Sequence, residues 1–244
     1  MIPFGPGQAF KEAVSGARSS RYAPIVVPDD EQGSAWAGRK AREALELGLV
    51  PILEGGHPHS VDCGIGFISS LSGIEVSDPS TLEQTLPHAL STARKILARR
   101  DMIAAASTRR PLLGMSSVLA LDPELNARSV QDRGLTSLLT RLLSSSEEKT
   151  LPLLGARPQP KGAGRIPGSG AGGGVGAMVH AIGGRIIDTG LFLRDFLRLD
   201  ERIADADLVL VLEAKLHSPN LSDAFLDVIS SAALQHALPV VAIG

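Results

Sequence analysis

Short continuous apolar runs recur along the chain at 25–27, 49–53, 102–106, 208–212 and 239–243. They are rich in Val, Ile and Leu and do not alternate with polar residues, the pattern of strands buried on both faces. Between them lie stretches of helical period. Residues 35–47 form one, 86–97 another with Leu86, Leu90, Ala93 and Leu97 on one stripe, and 221–236 a third with Leu221, Phe225, Val228, Ile229 and Ala232. Those spacings bring apolar side chains to one helical face. Near the amino end, Phe10, Val14 and Ala17 suggest a single further stripe. Ser80 followed by Glu83 predicts a capping box for a helix running to Arg100, with Pro87 near its first turn. Alternation of strand and helix predicts an α/β fold with a mainly parallel sheet flanked by helices.

The chain reads as one discontinuous unit over 1–244, and two stretches break its rhythm. Residues 144–168 carry four prolines and predict a long surface connection. Residues 162–176 hold eight glycines and lead into a helix expected from Ala177.

Composition narrows the class of protein. The 244 residues are 43% hydrophobic and 20% charged with mean hydropathy +0.14, too apolar for a disordered chain. No run approaches the ~18 apolar residues of a membrane span, so no membrane partner is expected. A formal charge of −2, a pI near 6.3 and 3% aromatic residues provide neither a basic field nor stacking platforms, which argues against nucleic acid. The single cysteine, Cys63, excludes an internal disulfide and reads as a small packing residue. The opening MIPFGPGQAF lacks the basic start and apolar run of a signal peptide, so a cytoplasmic location is expected.

In doubly wound sheets ligands bind beyond the carboxyl ends of the strands. The residues after the apolar runs are therefore the first candidates: Asp29 and Asp30; Glu54, His57, His59, Ser60 and Asp62; Ser107, Thr108, Arg109 and Arg110; Glu213, Lys215, His217, Ser218 and Asn220. Four such clusters at sheet ends would converge on one crevice. Glycines before a helix let backbone N–H groups approach an anion, with the helix amino end adding positive charge. The 162–176 loop thus reads either as a phosphate or carboxylate site or as a hinge with close helix packing. Gly168, Gly170 and Gly173 satisfy G-x-G-x-x-G, but Pro-rich sequence rather than a strand precedes them, and no Walker Lys-Ser/Thr ending follows. His57 and His59 could chelate a transition metal, whereas Asp62 or Glu213 with substrate phosphates suits Mg²⁺ better.

Longer motifs are more specific. PGSGAGGGVGAMVHAIGGRIIDTGLFLRDFLRLDERIADADLVLVLEAKL, from Pro167, closely resembles the carboxyl-terminal part of the type 1 glycerate kinase family. That family carries a glycine loop, a helix, a Pro/Thr-Gly turn like Thr189–Gly190, a second helix and an Ala-Asp-Leu-Val-Ile strand like 206–210. GGHPHSVDCGIG is similar to its Gly-Gly-Ser-Ala-Thr-Asn-Asp-Gly-Gly-Ala-Gly loop with one extra residue, matching Gly55, Gly56, Asp62, Gly64 and Gly66. Pro111, Leu112 and Gly114 match its Asn-Pro-Leu-x-Gly motif, and Phe10 and Lys11 its Phe-Lys motif.

The resemblance implies a Rossmann-like glycerate kinase type 1 fold with a reduced second lobe. It implies transfer of the γ-phosphoryl of ATP to D-glycerate, a small sugar acid, with Mg²⁺. Asp62, Glu213, His217 and Lys11 would be the catalytic residues, Lys11 as a point charge, with Asp62 and Glu213 on the metal. Gly55, Gly56, Gly168, Gly170, Gly172, Gly173, Gly174 and Arg109 would hold phosphate or substrate. The chain departs from the family where Val211, Leu212, Ala214, His217, Pro219 and Asn220 stand in a motif of which only Glu213 survives, and where Gly7 and Gln8 replace Asp-Ser. The segment between Val27 and Gly33 is contracted, the strand expected before Phe10 is missing, and Gly244 falls where family members continue. An edge left by that strand would be covered by a second copy, a homodimer. Three readings remain open: an active kinase; a member that binds a sugar acid or nucleotide, or a protein partner, without turnover; and another small-molecule enzyme using His57 or His217.

Overall fold

In the computed structural model, the described residues are 2–16, 21–30, 32–57, 62–76, 81–121, 133–145, 162–212 and 225–244. Four strands, β1 (Tyr22–Val26), β2 (Val50–Gly55), β3 (Ile103–Ala106) and β4 (Arg185–Asp188), form a parallel sheet in the order β1-β2-β3-β4. Its register sets Ile25 beside Leu53, Leu53 beside Ala104, and Ala104 beside Ile186. Every residue of β2 and β3 is buried, as expected for central parallel strands covered on both faces.

Because side chains alternate along a strand, the two faces divide the apolar residues between two clusters. Leu53 and Ala104 face α2 (Gly33–Glu46), α3 (Ile65–Ser72), α4 (Leu82–Leu97) and α7 (Val175–Ala181), packing with Ala37, Phe67, Leu86 and Met178. Trp36 packs at the edge of this cluster, and Cys63 is buried within it. Val50, Ile52, Ile103 and Ala105 face the other way, onto Phe10 and Val14 of α1 (Gln8–Gly16) and Leu193 of α8 (Thr189–Phe196). The short α5 (Val118–Leu121) and α6 (Arg133–Ser145) extend the first cluster through Val118, Leu139 and Leu143.

The carboxyl-terminal strands do not join this sheet. β5 (Val209–Leu212) and β6 (Val240–Ile243) pair in parallel as a separate two-stranded sheet. It packs on α9 (Leu199–Ala204) and α10 (Phe225–Gln235) around Leu199, Ile203, Ala232 and Ala233.

Five of the six strands fall on the apolar runs; β4 does not, because its two isoleucines lie between Arg185 and Asp188. The expected Thr189–Gly190 turn is instead the first residue pair of α8, whose amino end is capped by the Asp188 carboxylate accepting from the Leu191 N–H. α4 starts at Leu82 after Thr81, which makes no side-chain cap bond; the capping residue expected, Ser80, lies outside the described residues. Pro87 falls in the second turn of α4 on its exposed side, where the lost N–H bond disturbs no core contact. Ala17 and Leu221 also lie outside the described residues. Of the Pro-rich 144–168 connection, only the end of α6 and residues 162–168 are described, including a 3₁₀ turn at Ala163–Arg165. A tight turn at Ala171–Gly174, with Gly172 and Gly173 in the left-handed region at φ +59° and +69°, runs straight into α7, which begins at Val175 rather than Ala177. Among the described residues, no helix is long and apolar enough to cross a membrane.

Candidate functional site

A cleft of about 290 Å³ opens beyond the carboxyl ends of β1 and β2. Its walls are Pro6 and Gly7 just before α1, residues 26–30 at the end of β1 and beyond, residues 54–57 at the end of β2 and beyond, Ser34, Asp62 and Gly172. This is where parallel topology leaves backbone free to vary, since each strand must turn there into the next helix.

Glu54 forms part of the cleft lining. It continues the Val50–Ile52 stripe of β2 but ends it with a carboxyl group, and it is only 2% exposed. The Gly7 N–H donates to Oε2 at 2.9 Å, and the Ser107 hydroxyl donates to Oε1 at 2.5 Å. Ser107 Oγ lies 3.1 Å from Oγ1 of the fully buried Thr189, the first residue of α8. The group therefore joins α1, β2, the end of β3 and α8. Burial pushes the Glu54 carboxyl above the ordinary carboxylate range, against the smaller opposing pull of the Ser107 and Gly7 hydrogen bonds.

The other carboxylates differ in how they are held. Asp62 accepts from the Gly64 N–H on Oδ1 at 2.8 Å, and from the Gly66 N–H at 2.8 Å and the Ser34 hydroxyl on Oδ2. It thereby ties the amino end of α3 to that of α2. Asp30 accepts from the Gln32 N–H at 2.9 Å, and both Asp29 and Asp30 are exposed. Asp29, Asp30, Glu54, Asp62 and His57 supply the ionisable lining; among the described residues lining the cleft, none is Lys or Arg. No three His, Cys, Asp or Glu side chains among the described residues are grouped to hold a metal ion by themselves. A carboxylate-lined cleft fits Mg²⁺, which takes one or two carboxylates and completes its shell with water and phosphate oxygens.

The glycine loop lies against this cleft chiefly as a packing element. The N–H groups of Gly168, Gly170 and Gly172 donate to the carbonyls of Arg109, Arg110 and Gly56 at 3.1, 3.1 and 3.2 Å. A Cβ on Gly55 would lie 2.7 Å from the Gly172 nitrogen, and one on Gly174 would lie 2.6 Å from the Cys63 carbonyl carbon. Gly174 also has φ +106°, a conformation that disfavours any side chain. Only glycine lets the loop close onto the ends of the strands at this distance.

Of the residues expected at a site, Gly55, Gly56, Asp62 and Gly172 line the cleft together with His57. Gly168, Gly170, Gly173 and Gly174 belong to the same loop but are not in its lining. Lys11 lies on the exposed side of α1, one turn beyond Gly7, and Arg109 is 61% exposed in an ion pair with Asp188 at 3.1 Å; neither lines the cleft. Thus the Asp29–Asp30 and Glu54–Asp62 clusters meet, Ser107 joins them through Glu54, and Arg109 turns away. His59, Glu213 and His217 lie outside the described residues. Gly7, Ser34 and Thr189 take part without having been expected at the site: Gly7 stands out in sequence as a departure from the family motif and Thr189 as a turn residue, and Ser34 falls beside a helix start.

A model of the glycerate kinase family matches residues 35–244. Two uncharacterized mycobacterial proteins, Mb2228c of Mycobacterium bovis and MT2261 of Mycobacterium tuberculosis, are each 27% identical over 210 residues, 85% of this chain and 49% of theirs. The chain thus spans about half the length of these curated relatives. A crystal structure from Salmonella typhimurium LT2, described as "putative glycerate kinase 2", superposes with a TM-score of 0.61 at 22% identity, covering 91% of this chain and 64% of that one. At that identity the likeness establishes the fold.

Proposed function

Because the chain belongs to the glycerate kinase family, we propose that it transfers the γ-phosphoryl group of ATP to D-glycerate in the cleft above β1 and β2. The observation that carries this reading is the cleft's ionisable lining: four carboxylates and a histidine, with no Lys or Arg among the described lining residues. Such a lining repels a bare polyphosphate and accepts one neutralised by Mg²⁺. When bound, the metal supplies charge neutralisation for phosphoryl transfer, which depends chiefly on positioning and electrostatics. Asp62 and Glu213 are the proposed metal carboxylates, with Asp62 held in place by the amino end of α3. His217 is proposed to serve the transferred group, and Gly55, Gly56 and the 168–174 loop to border the substrates; Lys11 and Arg109, which lie outside the cleft lining, are proposed to add positive charge beside it. A cytoplasmic homodimer completes the proposal; a monomer in sedimentation at high concentration would overturn the dimer.

The test is thermal unfolding with Mg²⁺–ATP, D-glycerate and 2-phosphoglycerate, followed by ADP release on the same samples. Ligands that bind the native state at ~100 times Kd add about 2.7 kcal/mol and raise the midpoint. The expected result is a raised midpoint with each ligand and ADP release that requires both D-glycerate and Mg²⁺. The N–H groups of Gly168, Gly170 and Gly172 are already bonded to carbonyls and leave fewer donors for a transferred phosphoryl group; binding of a sugar acid or nucleotide, or of a protein partner, without turnover is the second reading. A raised midpoint with no ADP would select it.

A further inference from the structure

We propose that Glu54 is the catalytic base that takes the proton from the acceptor hydroxyl. This rests on the phosphoryl-transfer reading above and adds to it a residue that the family resemblance does not single out.

Four carboxylates line the cleft, and the structure separates them by environment. Asp62 has three donors on its two oxygens, each fixing a helix start. Asp30 accepts from the Gln32 N–H, and Asp29 and Asp30 are both in solvent. Glu54 alone is buried, at 2% exposure. A carboxylate has about four lone-pair directions, and the Gly7 N–H and Ser107 hydroxyl take one on each oxygen. Capacity for a proton remains on both oxygens.

Burial also brings the Glu54 carboxyl toward neutral pH, where a base is most effective. Its setting is rigid, because the donors come from the amino end of α1 and the end of β3, and Ser107 is in turn within 3.1 Å of Thr189 on α8. The other titratable groups around it are His57, Asp29, Asp30 and Asp62 along the cleft, Lys11 and Glu12 on α1, and the Asp188–Arg109 pair beside Thr189.

In the step, the acceptor hydroxyl oxygen forms a bond to the γ-phosphorus. The bond from that phosphorus to the β,γ-bridging oxygen breaks, and ADP leaves with the electron pair. The hydroxyl proton passes to a Glu54 carboxylate oxygen and later to water. Ser107 is a positioning residue here: its hydrogen bond favours the charged form of Glu54 and sets the pH at which the base becomes active.

The experiment measures kcat against pH, and Mg²⁺–ATP and D-glycerate affinity by calorimetry, for the wild-type chain, Glu54→Gln and Ser107→Ala. Wild type should lose activity on an acidic limb. Glu54→Gln should bind both substrates within about threefold of wild type yet lose roughly 10²-fold or more in kcat, with no acidic limb left. Ser107→Ala should retain kcat within severalfold at high pH and shift the acidic limb upward, since the bond it removes lowers the Glu54 carboxyl. If Glu54→Gln does not fold, the Ser107→Ala limb decides. An active wild type with an unchanged limb in Ser107→Ala, or with unchanged kcat in Glu54→Gln, overturns Glu54 as base and leaves the kinase reading standing. Binding without turnover in wild type overturns both.

Discussion

β2 and β3 are buried at every position, whereas β5 and β6 bury few of theirs, although all four are short apolar parallel strands. Leu210 and Leu212 are 59% and 61% exposed, and Val241 and Ile243 are 43% and 51% exposed. The register sets Leu210 beside Val241 and Leu212 beside Ile243, so these four side chains form one apolar face. The first sheet has helices on both faces, and the second packs its other face on α9 and α10. An apolar run thus predicts a strand without telling how many of its faces are covered. The difference bears on function, because the cleft opens at the edge of the sheet whose central strands are locked from both sides.

The largest effect should come from the core of the first sheet. Ile52 is fully buried on β2, and Ile52→Ala should cost about 3–4 kcal/mol in urea unfolding through lost burial and a residual cavity. Leu210→Ala on the second sheet should stay within about 0.5 kcal/mol. Comparable losses at both positions would mean that the exposed face is covered in solution.

Gly174→Ala should follow, at about 2–3 kcal/mol, because the new Cβ meets the Cys63 backbone at 2.6 Å and φ is +106°. Gly183, also at positive φ but with open space around it, should cost only about 1 kcal/mol as Gly183→Ala. Equal costs would show that the loop relaxes and does not press on the strand ends.

A third prediction concerns pH. The folded-state Glu54 carboxyl is raised by burial, so the folded chain holds that proton more tightly than the unfolded one. The sign follows: stability is greatest below the ordinary carboxyl value and falls as pH rises through the window up to the raised one, by at most about 1.4 kcal/mol per pH unit. Glu54→Gln should flatten that part of the profile, as read by urea midpoints from acid to neutral pH. A fourth prediction is Arg194→Ala, at about 1 kcal/mol; it removes a bridge from α8 to Asp200, held at 2.8 Å, and to Gln235, at 3.3 Å, which ties the two sheet layers together.

Much of the fold is legible because continuous apolar runs and 3.6-residue stripes are local properties. β4 is hidden for the same reason: Ile186 and Ile187 make too short a run between charges, and their strand exists because β3 offers a ladder at Ala104 and Ala105. The split into two sheets is equally nonlocal. At the site, Glu54 is visible as a polar residue ending an apolar run, but not as a buried one. Its hydrogen-bond donors are Gly7, 47 positions earlier, and Ser107, 53 positions later, segments that only the folded chain brings together. Asp62 is visible as a motif acid, yet its three donors, Ser34, Gly64 and Gly66, give it a helix-anchoring role that spacing alone does not disclose. The glycine loop had two readings from spacing; the contacts of Gly55, Gly172 and Gly174 show how closely it packs on the strand ends, which spacing alone does not disclose.

The most direct measurement of the central claim is phosphorus NMR of the wild-type chain with ATP, Mg²⁺ and D-glycerate. A phosphoryl-transfer cleft predicts that ADP and a new phosphate monoester accumulate in equal amounts, that neither forms without Mg²⁺ or D-glycerate, and that both slow sharply in Glu54→Gln. ATP resonances that stay unchanged while calorimetry on the same sample registers bound nucleotide would contradict it.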